Sequence, residues 1–587
     1  MAKPGQDYAG SLAALNSTQL HGDSLRRAYS ARRDTVKAMN VYLQRLGLTE
    51  GVATLPTLHV TGSKGKGSTC AFVEAVMRRQ GVRTVLFTSP HLVRVNERIR
   101  LDGQPLTDTQ WSHHLWAVWN RLHETAPPPA APLSMPSGTT PAATTTHEAE
   151  PEAVPGYFRF LTLLCFWVAV QERADVLILE VGIGGRFDAT NVVPRSVACA
   201  ITTLDLEHTD LLGTSIEEIA WEKGGIIKPG VPCFVGPQPP RHAASALRVL
   251  RTCALEAPGA ELHLVKPLPA EIKLGIAGDF QAMNAALALA LVQQYHHHAS
   301  PSQSHQPPAL GLAPVVDEEE AAAEAWVDTT PYLLAHEPTV REGLEGCAWP
   351  GRCQRLEWGP RCRFFIDGAH TEESMRTAIE WFDSQVSPRE GGHRRRVLIF
   401  NCGEEKTVPD LLSHLVVNRK TPAALRFDVV FFCPVASAKP TLAHARAARV
   451  LLLEEGEEGA YARQLDQATL RSLCDALEGK AEERPESLQW QRALRDTWRV
   501  LQAYPMKMQK QQQEQQQEEQ EDWIGRADQQ TRTTVLPSVA AALEEIKAML
   551  AVEPLEVLVT GSLYLVGNVL GRLEVEEEPK SPPSSSA

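Results

Sequence analysis

The sequence predicts an α/β protein built on two mainly parallel sheets, the first domain larger than the second. Three observations carry that expectation. Short runs that are apolar on both faces recur along the chain, among them TLHVTG (57–62), DVLILEVG (175–182), RVLIFNCG (396–403 within its arginine-rich approach) and LEVLVTGS (555–562). Strands of a parallel sheet read this way, because crossover helices cover both faces. Stretches with helical spacing separate the runs, as parallel crossovers require. Each run also ends in small or polar residues, at the edge where parallel sheets bind their ligands.

The first unit of the pattern is TLHVTG, then the helix STCAFVEAVMRRQG (68–81), then the strand TVLFTSP (84–90). Phe72, Ala75 and Val76 fall at helical spacing and Gly81 ends the helix. DVLILEVG and SVACAITTLD (196–205) add further central strands. The second set comprises CRFFIDGAH (362–370), RVLIFNCG, FDVVFFCP (427–434) and LEVLVTGS. The expected organisation is a flexible N-terminus over 1–23, a first domain over 24–298, a linker over 299–340 and a second domain over 341–574. Low-complexity composition marks an insert at 125–155, a Gln/Glu-rich insert at 505–525 and a tail at 575–587. Such segments hold too little apolar surface to offset the entropy of ordering. The histidines of HHHA (296–299) read as a solvated loop rather than a metal site.

Bulk composition narrows the function. With 43% hydrophobic and 22% charged residues, the chain has the composition of a soluble protein. Its longest apolar run, FLTLLCFWVAV (160–170), is too short to span a bilayer and reads as a buried helix. A net charge of −13 argues against nucleic acid as the main partner. RVNERIR (94–100) packs three arginines together and reads either as a hold for an anionic substrate or as a solvated edge. Eleven cysteines without a C-x-x-C pair point to reduced thiols in a reducing compartment. The first twenty residues lack the apolar core of a secretion signal, and Asp7 disfavours a transit peptide, whereas LRRAYSARR (25–33) suits one. The expected location is cytoplasmic, with a mitochondrial form, in the matrix or at the inner membrane, as the second choice.

The chemistry is expected at the strand ends. LHVTGSKGKGSTC (58–70) is a glycine-rich loop between strand and helix, but Gly67 separates Lys66 from Ser68, where the usual phosphate loop has a hydroxyl residue directly after lysine. Glycines let backbone N–H groups approach phosphate oxygens. Lys66 supplies a charge, the helix adds its positive end, and Ser68 or Thr69 can reach a phosphate or a metal. Glu180 ends an otherwise apolar strand. A carboxylate there costs several kcal/mol unless it pairs with a cation or a metal, so it reads as a salt-bridge partner or a magnesium ligand. Asp205 and His208 follow another strand, in LDLEHTDLLG.

Taken together, these stretches resemble the Mur ligase superfamily, and within it the folylpolyglutamate synthases. The likeness rests on HVTGSKGKGSTCAFVEAVMRRQG, FTSPHLVRVNERIRLDGQPL, YFRFLTLLCF, LEVGIGGRFDATNVV, LDLEHTDLLGTSIEEIAWEKGGIIKPGVP, WPGRCQ, FIDGAHTEESM and VLVTGSLYLVGNVL, in that order along both domains. The resemblance implies an N-terminal P-loop ATPase domain and a smaller C-terminal Rossmann-like domain. It implies an ATP-dependent ligase that adds L-glutamate to the γ-carboxylate of reduced folates (tetrahydrofolate polyglutamates), through an acyl phosphate, releasing ADP and phosphate, for folate retention and one-carbon metabolism.

The resemblance also implies roles. Gly62, Ser63, Lys64, Gly65, Lys66, Gly67 and Ser68 hold the triphosphate, with Lys66 on the transferring phosphate. Ser89 and Glu180 ligate one Mg2+; His208 and Lys223 ligate a second, Lys223 as its carbamate. A monovalent cation is a further cofactor of this type of enzyme. Asn284 lies near the nucleotide, and Arg352, Asp367 and His370 supply nucleotide and active-site contacts from the second domain. The implied assembly is a monomer. Two positions depart from the family pattern: Phe280 stands where histidine is usual before Gln281, and Thr371 where asparagine is usual after DGAH. A dihydrofolate synthase or bifunctional enzyme shares these motifs, and a silent nucleotide-binding module would share the fold but lose Lys66, Glu180 or Lys223, which are all present.

Overall fold

The structure, a computed structural model, describes residues 6–19, 32–127, 153–299, 326–386, 394–403, 406–416, 427–435, 465–478, 488–513 and 530–575. It divides into two compact units, Met1–Gly275 with Asp279–Ala348, and Ile276–Gly278 with Trp349–Ala587. Among the described residues no helix is long and apolar enough to cross a membrane.

The first unit holds eight strands: β1 (Thr57–Thr61), β2 (Thr84–Phe87), β3 (Ile99–Leu101), β4 (Gln104–Pro105), β5 (Val176–Glu180), β6 (Ala198–Ile201), β7 (Pro232–Val235) and β8 (Glu261–Leu264). Their order is β4-β3-β2-β5-β1-β6-β7-β8. Every pair from β2 to β8 is parallel; β3 and β4 form an antiparallel edge. Strand β1 lies between β5 and β6, so the chain reverses direction of travel across the sheet there, and the carboxyl end of such a switch point is where parallel sheets bind ligands. All five residues of β1 and of β5 are buried, which is why both read as continuous apolar runs.

Helix Lys66–Arg79 follows β1 and buries nine of its side chains. Tyr157–Gln171 is the buried helix expected from the apolar run around Leu163. Its Phe160 and Phe166 are fully enclosed with Trp111, and burial of each such ring contributes about 2–3 kcal/mol.

Two stretches differ from the sequence expectation. The segment before residue 24 carries a helix, Tyr8–Ser17, with Ser11 and Leu15 buried. The described part of 299–340 is structured within the first unit: Val327 bridges in parallel to Val265, and helices Thr330–Ala335 and Thr339–Glu345 follow. The second of these lies so close to helix Lys66–Arg79 that a Cβ on Gly343 would fall 2.7 Å from Val76 Cα. Neither stretch has enough apolar periodicity to announce itself. Most of the low-complexity segments, 128–152, 300–325, 514–529 and 576–587, lie outside the described residues.

The second unit holds β9 (Gln354–Glu357), β10 (Cys362–Ile366), β11 (Arg395–Phe400), β12 (Val429–Phe432), β13 (Arg532–Val535) and β14 (Leu555–Thr560), in the order β13-β12-β11-β14-β10-β9. Only β9 runs antiparallel to its neighbour. Phe365, Phe382, Phe427 and Trp498 pack ring on ring in its core. Glu556, 1% exposed on β14, is balanced by Arg396 at 3.8 Å. Thr371 caps helix Glu372–Gln385 through a reciprocal pairing with Ser374, the service asparagine would have given there.

Candidate active site

The glycine loop is built so that no side chain fits at two of its positions. Gly62 has φ 145° and Gly65 φ 91°. A Cβ on Gly62 would fall 1.8 Å from Thr202 Oγ1, and one on Gly65 2.2 Å from Asn284 Oδ1. The backbone is pinned from β6 and the turn after it. Ser63 and Lys64 N–H groups donate to Thr203 O at 2.9 and 3.1 Å. Thr202 Oγ1 donates to Lys64 O at 2.5 Å, and Ser63 Oγ donates to Asp205 O at 2.9 Å. From the other side, Gln281 donates to Ser68 Oγ at 3.4 Å and accepts from Asn284 at 2.8 Å. The helix dipole of Lys66–Arg79 points its positive end at this loop. The Thr69 side chain, fully buried in the first turn of that helix, lies next to Ser68.

Two lysines converge on one carbonyl. Lys66 Nζ donates to Gly62 O at 2.9 Å, and Lys223 Nζ donates to the same oxygen at 2.8 Å. Lys223 comes from helix Ile216–Gly224 and is 2% exposed. Burial, with the Lys66 charge beside it, brings its amine down to about 7. A lysine in that range is in part a neutral nucleophile at ordinary pH. Lys64 sits 3.8 Å from the carboxylate of Glu207.

Glu180 ends β5, paired in register with Val60 of β1 and 4% exposed. Its Oε2 accepts from Ser89 N–H at 2.9 Å. Ser89 follows β2, so three neighbouring strand ends deliver the loop, the carboxylate and the serine to one crevice. The Cys70 thiol is pushed up by burial and, second, by the Glu180 charge.

His208 is exposed and heads the short helix Thr209–Leu212 with φ 53°. Asp205 is engaged by Arg241 at 3.1 Å. Among the described residues no three His, Cys, Asp or Glu side chains gather as a ready metal site. Magnesium does not need one. It is held through one or two carboxylates plus substrate phosphates, and Glu180 with Ser89 beside a phosphate loop fits that pattern. Lys223 as an ammonium does not fit a metal ligand; only its carbamate would.

The three arginines of 94–100 are each engaged locally. Arg94 meets Asp108 at 2.5 Å, Arg98 donates to His91 at 2.9 Å, and Arg100 lies 3.7 Å from the buried Glu74. In the second unit, Asp367 leaves β10 buried and accepts from Cys353 N–H at 2.8 Å and Ala369 N–H at 2.9 Å. Burial raises its carboxyl, against the pull of Arg352. A Cβ on Gly368 would fall 2.9 Å from Arg352 Nη1, and His370 Nδ1 donates to Gly368 O at 2.8 Å. Arg352, Asp367 and His370 thus meet at one strand end.

Sequence reading gave no role to Thr202, which braces the loop from the turn after β6 and carries no motif of its own, or to Gln281, which ties Ser68 to Asn284. Phe280 is 42% exposed directly before Gln281.

The loop yields a sharp expectation. Gly65→Ala puts a methyl into the Asn284 amide and an L-residue at φ 91°. It should lower stability by about 1–3 kcal/mol and abolish ATP binding. Thermal unfolding and nucleotide titration of the variant check both.

A glycine-rich loop at the switch point of a parallel sheet, with a second α/β unit on the same chain, is the arrangement of a nucleotide-binding α/β enzyme. No family model matches the chain. It is, however, 35% identical over 492 residues to the mitochondrial folylpolyglutamate synthase of Bos taurus, covering 81% of this chain and 74% of that one. It is 36% identical over 452 residues to the mitochondrial enzyme of Homo sapiens, covering 74% and 68%, and 30% identical over 577 residues to the folylpolyglutamate synthase of Saccharomyces cerevisiae, covering 96% and 87%. The chain belongs to the folylpolyglutamate synthase family, and so is an ATP-dependent ligase that forms an amide bond. The fold agrees with solved structures at lower identity. The apo form of L. casei FPGS superposes with a TM-score of 0.59 at 20% identity, covering 97% of this chain and 99% of that one. A Mycobacterium tuberculosis folylpolyglutamate synthase complexed with ADP and AMPPCP gives 0.56 at 21%, covering 93% and 96%.

Proposed function

We propose that the chain lengthens the glutamate tail of reduced folates, with ATP on the 62–68 loop and the chemistry beside Glu180 and Lys223. The observation that carries this reading is the convergence of Lys66 and Lys223 on Gly62 O, at 2.9 and 2.8 Å. It sets the Lys66 cation, with the buried Lys223 amine beside it, at the mouth of a glycine-rich loop. The folate γ-carboxylate oxygen attacks the γ-phosphorus; the β–γ bridging bond breaks, ADP leaves, and an acyl phosphate forms. The glutamate amine then attacks the acyl carbon, the carbon–oxygen bond to phosphate breaks, and the nitrogen gives up a proton. Both steps bring anions together, so fixed positive charge lowers their barriers.

In this reading Lys66 follows the transferring phosphate, Ser63, Lys64, Gly67 and Ser68 line the triphosphate with the two pinned glycines, and Asn284 sits against the nucleotide. Ser89 and Glu180 would hold one Mg2+, which supplies charge neutralisation between phosphate and carboxylate. His208 and Lys223 would hold a second once Lys223 is carbamylated. The neutral fraction of a buried amine brought to about 7 is the form that reacts with CO2. Within the second unit, Arg352, Asp367 and His370 are the residues we assign to nucleotide and active-site contact. Eleven free, buried cysteines suit a reducing cytoplasm, while the naming of the mammalian relatives supports a mitochondrial form as well. We read the assembly as a monomer.

Incubating the purified chain with ATP, magnesium, glutamate and either tetrahydrofolate or dihydropteroate, then weighing the products, tests the reading. The expected result is a ladder of glutamate additions on tetrahydrofolate. Product from dihydropteroate alone would replace this reading with dihydrofolate synthase, and no product with ATP still bound would indicate a silent module.

A further inference from the structure

The loop that carries Ser89 is tied at its far end to the N-terminal helix, and the tie is specific. Its near end is Ser89 N–H on Glu180 at 2.9 Å. Its base is closed by Thr88 N–H on Arg98 O at 3.0 Å. Within it, the Glu97 carboxylate accepts from the N–H groups of Leu92, Val93 and Arg94 at 2.7, 2.9 and 2.6 Å. These bonds make the stretch from Ser89 to Arg98 one stiff piece, so a hold at one end constrains the other.

The hold is Tyr8. Its hydroxyl donates to Asn96 Oδ1 at 2.7 Å. Asn96 is 2% exposed and directs its amide donor to Leu106 O at 2.8 Å and Asp108 at 3.4 Å, so only its oxygen remains, and only a donor serves it. The Arg94 guanidinium lies 5.1 Å over the Tyr8 ring. The other end of the same helix is pinned as well. Thr18 O accepts from Tyr157 N–H at 3.1 Å, and the Tyr157 ring lies 5.7 Å from the guanidinium of Arg98, the residue that holds His91. Ser11 and Leu15 seat the helix in the core.

We infer that Tyr8 is a positioning residue for the reaction: the N-terminal helix straps the Ser89–Arg98 loop and so holds Ser89 in register with Glu180. The inference rests on the metal reading of Ser89 and Glu180 given above. Tyr8→Phe in the full chain is the test. It removes the hydroxyl and keeps the ring under Arg94, so the fold is retained.

Four quantities are read: deuterium uptake over residues 89–98, the magnesium concentration for half-maximal glutamate addition, kcat at saturating magnesium, and the unfolding temperature. Loop uptake and half-saturating magnesium should each rise about fivefold, the worth of one hydrogen bond of ordinary net strength. kcat should hold, and the unfolding temperature should fall by no more than a few degrees, the cost of one unmet buried acceptor. Unchanged uptake and magnesium response, or a fall in kcat and unfolding temperature with uptake raised throughout the unit, overturns the inference. Ser89→Ala separates the layers. If it leaves the magnesium response unaltered, the metal reading of Ser89 fails, and Tyr8 is then judged by loop uptake alone.

Discussion

Lys66→Met should cut the rate of glutamate addition by about a thousandfold, or ~4 kcal/mol of transition-state stabilisation, while nucleotide affinity falls far less. The reasoning starts from where the ammonium rests. It donates to Gly62 O at 2.9 Å and approaches Ser63 O at 3.5 Å, so it is stored on the loop it serves. Backbone N–H groups of the loop and the helix end remain in the variant and go on binding the triphosphate. What disappears is the Lys66 charge placed to follow the phosphoryl group as it leaves ADP. Lys66→Arg should not rescue it, since a planar guanidinium does not replace a point charge on a tight loop. Removing this charge also relieves Lys223, whose amine is held down first by burial and second by Lys66, so the Lys223 amine should titrate higher in the variant. Single-turnover rates, nucleotide titration and the pH dependence of lysine modification check the three parts. A rate loss matched by an equal loss of ATP affinity would assign Lys66 to ground-state binding instead.

The sequence made the centre of each sheet legible and left the edges dark. β1, β2, β5, β6, β10, β11, β12 and β14 are buried throughout or nearly so, and burial on both faces writes an apolar run. The strands that escaped lie toward the margins. β3 and β4 span three and two residues, β7 opens on Pro232, β9 alternates half-buried and exposed side chains, and β13 buries none of its residues fully. Helix Tyr8–Ser17 escaped because only Ser11 and Leu15 are buried and its hold is polar, through Tyr8.

The candidate site shows the same division. Gly62, Gly65, Lys66 and Glu180 were legible because each violates its surroundings: glycines clustered at a helix start, a carboxylate closing an apolar strand. Lys223 was not, because a lysine at the end of a helix is unremarkable until the fold buries it to 2% exposure. Its place came only from family resemblance. Thr202 was dark for a further reason. Its hydroxyl meets Lys64 O across 138 residues, a contact no local pattern encodes.

Glu180→Gln separates a structural carboxylate from a metal-binding one. The two readings predict opposite pairings of stability and activity. The amide is nearly isosteric, and its oxygen can still accept from Ser89 N–H, now at 2.9 Å from the carboxylate. The variant therefore keeps that hydrogen bond and loses the charge. Glu180 is 4% exposed at the end of a wholly buried strand, and burying a charge costs more than burying an amide. In the nucleotide-free protein, the unfolding temperature should stay level or rise. The Cys70 thiol, pushed up in part by the Glu180 charge, should move down, which thiol titration reads. Activity should nonetheless fall by at least about a hundredfold, with the magnesium needed for half-maximal rate raised, because a neutral oxygen is a poor ligand for a hard cation. A carboxylate kept for a structural ion pair would behave the other way: the unfolding temperature would drop by several degrees, and activity would follow it down in proportion to the folded fraction, with the magnesium response unchanged.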